Sequence, residues 1–184
     1  MNGLLRGAIS GLAATLPMTI AMEVMHRRMG LTKRYALPPR QITANVARSL
    51  GIRHRLGEDE ERVATMVSHF GYGGSMGVPY ALAEESIHLP PIVKGAGYGL
   101  AVWAGSYLGL LPRLGLLSPA TRHPPQRTAL MIAAHLVWGS ALAIAVERLK
   151  RRRGQARGEA SPASPVSQRS TRKIQPQSAA SICS

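Results

Sequence analysis

Apolar and charged positions are segregated along this chain in blocks, on the scale of a bilayer rather than of one helix face. Gly7–Met22, Val63–Ala83, Gly95–Leu111 and Thr128–Val146 contain no Asp, Glu, Lys or Arg. A hydrocarbon core of roughly 30 Å is crossed by about 20 mostly apolar residues at 1.5 Å rise each. The pattern predicts an all-α fold, an integral membrane four-helix bundle, with spans at about residues 3–25, 63–84, 95–112 and 127–147.

The polar blocks mark the ends of these spans. His26, Arg27 and Arg28 close the first, where cations suit the helix dipole. Ile42, Val46 and Leu50 recur every fourth position with Gly51 behind them, which predicts a short amphipathic helix over about residues 40–50, lying in the interface. Glu58, Asp59, Glu60 and Glu61 read as the first turn of the second span rather than as a metal site. Pro90-Pro91 breaks the chain before the third span, and Pro125 opens the fourth. Pro17 interrupts the first span and no clean small-x-small cleavage site follows it, so it reads as a retained helix rather than a signal peptide. Residues 1–153 form one domain. Residues 154–184, rich in Ser, Pro, Ala, Gln and Arg, hold too little apolar surface to fold and are expected to be disordered.

Composition changes this picture little. The mean hydropathy of −0.01 would suit a soluble protein, but it averages two segregated populations. The net charge of +14 over 184 residues sits between Arg27 and Arg62 and after Arg148, beside the spans. Such blocks contact anionic lipid headgroups. The expected partners are therefore the bilayer, anionic headgroups bound through the basic loop and tail, and a second copy in a homo-oligomer. Nucleic acid is excluded, because no folded basic face with aromatic or groove-reading residues is present. Basic residues flank both ends of the bundle, so the positive-inside rule does not choose an orientation; the Arg-rich tail favours both termini in the cytoplasm. Cys183 is the sole cysteine and can form no internal disulfide. No nucleophile elbow, phosphate loop, zinc motif or catalytic carboxylate pair is found, and the chain is not expected to be an enzyme.

One repeat carries the candidate chemistry. Ser68-His69-Phe70-Gly71-Tyr72-Gly73 and Ala134-His135-Leu136-Val137-Trp138-Gly139 share the order small, His, apolar, any, aromatic, Gly. Their two spans run in the same direction, which places His69 and His135 at one depth and suggests two similar helical hairpins. Gly3, Gly7 and Gly11, then Gly73 and Gly77, Gly95 and Gly99, Gly105 and Gly109, each recur every four residues, the spacing of close helix packing in lipid; Gly139 extends the His135 stripe as Gly73 extends that of His69. Three roles fit the imidazoles. They make interhelical hydrogen bonds to Ser10, Thr15, Thr19 or Tyr107; they share a haem iron or another metal; or they form a proton or solute path with Glu23, whose position near the span end also suits a solvated interfacial carboxylate.

The run Ala134-His135-Leu136-Val137-Trp138 resembles the Gly-His-Leu-Val-Trp run of the YagU-type family, bacterial inner-membrane proteins of unknown function, with Ala134 where the other has Gly. The glycine-rich first span, Leu37-Pro38-Pro39-Arg40 and His69-Phe70-Gly71-Tyr72-Gly73 also look like small multi-pass relatives of that group. The resemblance covers the four spans and not the tail. It implies a bacterial cytoplasmic membrane and brings no substrate or catalytic residue. The leading expectation is a non-catalytic structural or stress-related envelope protein without cofactor. The alternative is a haem- or metal-binding protein, or a proton or small-solute transporter, that uses His69 and His135.

Overall fold

The computed structural model describes residues 2–29 and 36–159, all of whose regular structure is helical. In chain order the helices are α1 (Gly3–Arg28), α2 (Pro38–Ser49), α3 (Glu58–Ala83), α4 (Pro91–Ala104), a π turn at Gly105–Leu110, the single turn α5 (Leu111–Arg113) and α6 (Pro125–Glu159). Local chemistry explains most boundaries. Asn2 Oδ1 accepts from the Leu5 amide at 2.9 Å and caps α1. The Leu37-Pro38-Pro39 run starts α2 with prolines, whose missing amides cost nothing in a first turn. Gly51, at φ 71°, ends it in a Schellman motif, with Gly51 N–H donating to Arg48 O and Ile52 N–H to Ala47 O, both at 3.0 Å. The acidic run does open α3, all four carboxylates falling in its first turn.

Two helices, Gly3–Arg28 and Pro125–Gln155, are long and apolar enough to cross a membrane. α3 is as long as α1, but glycine, serine, tyrosine and His69 dilute its apolar content. α4 has 14 residues before the π turn interrupts the expected third span. α6 runs to Glu159, past residue 154 where the tail was expected to begin. Its Arg, Gln and Glu residues propagate a helix that is already nucleated and packed. The rest of the expected tail, residues 160–184, lies outside the described residues.

α1 and α6 are the central pair, with α3 packed on α1 and α4 packed on α6, so the order across the bundle is α3–α1–α6–α4. Neighbours are antiparallel. Glycines set both outer contacts. A Cβ built on Gly7 would overlap the carbonyl of Gly77, and one on Gly11 the carbonyl of Gly73. In the second pair, Gly95 meets the carbonyl of Gly139, and Gly99 that of His135. Gly3 has a looser contact, 3.2 Å from its Cβ position to Leu82. Gly105 and Gly109 face open space. Six residues beyond Gly99 lies about 120° off its face at 100° per residue, so the four-residue spacing restarts on another side.

The bundle is apolar outside and mixed inside. Leu5, Leu12, Leu16 and Ile20 of α1 are each more than 40% exposed, and Val63, Val67, Ile92 and Val93 continue that surface on α3 and α4. Ser10, Thr15, Ser106 and His135 are buried among Met22, Leu130, Leu142 and Val146.

Replacing Gly11 or Gly139 by leucine should separate its helix pair and cost about 3 kcal/mol or more, since backbone must move to admit the side chain. Gly97, which is exposed with nothing within 4 Å of a Cβ, is the control. Gly97→Ala should leave the unfolding midpoint in detergent unchanged or raise it slightly.

Candidate functional site

A cavity of about 240 Å³ lies between α1, α3, α6 and the π turn, with α2 as its roof. Met18 and Met22 come from α1, Ile42 and Thr43 from α2, Ser68, His69 and Tyr72 from α3, Tyr107 from the π turn, and Met131 and His135 from α6. The shared direction of α3 and α6 does bring the two histidines to one place: His69 is the twelfth residue of α3 and His135 the eleventh of α6. Glu23 is elsewhere. It is partly exposed on α1 and paired with Arg27 at 2.7 Å, the solvated interfacial arrangement. Among the described residues no group of three or more His, Cys, Asp or Glu side chains could hold a metal, so a metal here would have the two imidazoles and no carboxylate or thiolate.

The polar groups of the cavity differ in how they are engaged. His135 is buried, and its Nδ1 lies 2.7 Å from the carbonyl of Met131, one turn back on the same helix. A carbonyl only accepts, so Nδ1 carries the hydrogen and Nε2 the lone pair. The expected interhelical partners are not used. Thr15 and Thr19 donate instead to Gly11 O and Thr15 O at 2.8 and 2.7 Å, and Tyr107 meets the imidazole edge-on with centroids 5.9 Å apart. Tyr72 and Ser106 share a hydrogen bond of 2.7 Å, which joins α3 to the π turn, and Thr43 and Ser68 share one of 3.2 Å. His69 and the Tyr107 hydroxyl have no hydrogen-bond partner among the described residues, and both line the cavity.

The roof is tied down by charge. Glu61, with a side chain only 5% exposed, holds Arg40 of α2 at 3.2 Å and Arg53 of the turn after α2 at 2.8 Å. Arg127 of α6 donates to Gln41 of α2, and Asn45 donates to Leu116 O at 2.6 Å. His123, beside Arg127 in the loop before α6, donates its Nε2–H to Ser118 O at 3.0 Å. Burial and the neighbouring Arg127 charge hold its pKa below the usual histidine value. At the opposite end of the bundle, buried Glu84 joins three helices. Lys150 of α6 reaches one carboxylate oxygen at 2.7 Å and Lys94 of α4 the other at 3.2 Å, while Arg6 of α1 donates to Ala81 O at 3.1 Å.

Neither cluster follows from reading Glu61 as part of a helix start or Glu84 as a span terminus. The available signal was a carboxylate at a span end facing basic residues at the same end of other spans. Pairing them requires knowing which helices are neighbours.

Glu61→Gln should release α2 without unfolding the bundle. Breaking a buried carboxylate from two partly exposed arginines costs about 1–2 kcal/mol after solvent screening. Hydrogen exchange over residues 38–49 should therefore quicken roughly tenfold, with α1 and α6 protected as before. Uniform quickening across all helices would show that Glu61 supports the whole bundle rather than the roof.

No curated protein and no solved structure matches the chain. A model for a family of unknown function, DUF6789, matches residues 1–157, which take in the whole bundle and nearly all of α6. The resemblance to YagU-type proteins rests on the quoted runs alone. With residues 1–157 of the helical domain matched, this chain belongs to the DUF6789 family.

Proposed function

We propose that this is a multi-pass protein of the bacterial cytoplasmic membrane, a four-helix bundle with both termini in the cytoplasm. It binds a small neutral membrane-dissolved molecule between His69 and His135, without catalysis. Support for four spans comes from the surface. α3 and α4 carry outward-facing Val63, Val67, Ile92 and Val93, an arrangement water would penalise and lipid would not. The ligand reading rests on one observation: His69, Tyr107 and His135 bring incompletely matched hydrogen-bonding groups to one apolar-walled cavity. An unmatched polar group away from water costs free energy that a bound partner recovers. The preferred ligand is neutral, because no Asp, Glu, Lys or Arg lines the cavity and a buried charge needs a countercharge. It offers an acceptor to Tyr107 and a donor to His135 Nε2. A volume of about 240 Å³ falls below the roughly 300–1,000 Å³ of sites that enclose a whole drug-sized ligand. It suits a head group whose remainder lies in the bilayer.

The membrane reading predicts that alkaline carbonate leaves the protein in the pellet. It also predicts that Cys183 reacts with an impermeant maleimide only after cells are broken. Release by carbonate overturns the span assignment, and labelling of intact cells overturns the orientation.

The ligand reading is tested by organic extraction of protein purified in mild detergent from its native membranes. Wild type should release one small molecule in near-stoichiometric amount. Tyr107→Phe should retain it about two- to tenfold less well, the worth of one hydrogen bond. A Soret band or stoichiometric metal lost in His69→Ala and His135→Ala would replace the neutral ligand by an iron or metal site. A folded protein with nothing bound would leave the imidazoles as packing groups.

A further inference from the structure

A groove of about 450 Å³ runs between α1 and α6 and shares no wall residue with the histidine cavity. Its wall is apolar, built by Ile9 and Ala13 of α1 and Ile144 of α6. Two features make it more than a seam between helices. Ser10 lines it with a fully buried hydroxyl that has no hydrogen-bond partner among the described residues. At its end stand Arg148 and Arg152, one helical turn apart and both exposed. Neither makes an ion pair among the described residues, whereas Lys150 between them is held by Glu84, Glu85 and Glu147. The acidic side chains at this end are thus already engaged, and the two guanidiniums remain as donors beside an apolar trough.

We infer that this groove binds a phospholipid with an anionic headgroup. The phosphate lies between Arg148 and Arg152, whose planar donor forks match its oxygens. One acyl chain fills the trough along Ile9, Ala13 and Ile144, and an ester carbonyl accepts from Ser10. A second copy docked through the same face would bring four guanidiniums together, so charge favours lipid over self-association. The inference rests on the membrane reading and is independent of the histidine ligand.

The test is native mass spectrometry of the full chain in neutral detergent, titrated with phosphatidylglycerol or phosphatidylcholine of identical acyl chains. Wild type should prefer the anionic lipid by about tenfold or more, given two basic residues at the headgroup. The double variant Arg148→Gln with Arg152→Gln should bind the two lipids nearly equally and keep the wild-type unfolding midpoint, because both side chains are exposed. Ala13→Leu, which fills the trough, should weaken both lipids alike. Equal binding of the two lipids by wild type overturns the proposal. So does displacement of lipid by millimolar inorganic phosphate, which would indicate an anion site without an acyl groove. A dimer abolished by Ala13→Leu while lipid binding stays unchanged assigns the groove to a second copy and also overturns it. Failure of alkaline retention would instead remove the membrane reading beneath it, so the two failures are told apart.

Discussion

Backbone contact between helices at the glycine crossings is the constraint on which the rest of the molecule depends. Gly7 and Gly11 admit the carbonyls of Gly77 and Gly73, and Gly95 and Gly99 admit those of Gly139 and His135. Each crossing brings two helices closer than any side chain would allow. That closeness supplies dispersion contacts and weak Cα–H···O bonds between the paired backbones. It also fixes axial register. Sliding either pair by one residue would drive a carbonyl into a neighbouring Cβ, so the depth of each histidine is set by glycines one turn further along its own helix.

Much of this was legible in the sequence, for reasons that can be named residue by residue. Charge-free runs locate helices because composition alone reveals them. Gly7, Gly11, Gly73 and Gly77 reveal contact faces because only a missing side chain permits such contact. The shared direction of two helices placed His69 and His135 together. The interruption of the third helix was not legible: Gly105 and Gly109 repeat the four-residue spacing but take no part in packing. The hydrogen bonds were also hidden. His135 turns to its own helix because the Met131 carbonyl is nearer than any hydroxyl across the interface. Glu84 and Lys150 are 66 positions apart, and nothing local in either names the other.

The polar groups divide by depth. Glu61 with its arginines fastens α2 and α3 at one end, and Glu84 with its lysines fastens α3, α4 and α6 at the other. Both clusters lie at the ends of the helices, where each buried carboxylate is neutralised by basic side chains of neighbouring elements. Between them the interior is built from neutral groups, and most of those are satisfied within the protein. Unmatched among the described residues are His69 and the Tyr107 hydroxyl at the cavity, together with the buried Ser10 Oγ, Trp103 Nε1 and Trp138 Nε1.

The π turn at Gly105–Leu110 gives this chain an unusual relation to insertions and deletions. In an ordinary helix, losing one residue rotates everything beyond it by about 100° and scrambles a packed face. Here the helix already carries a residue in excess, accommodated as a wide turn. Deleting a residue from that segment would restore uniform α-helical winding and a more regular backbone. It would also swing Ser106 and Tyr107 away from Tyr72 and His135. Improved local geometry and a coherent interior are therefore opposed at this one place. Lineages that depend on the cavity should retain the extra residue, whereas lineages that have lost its use are free to shed it.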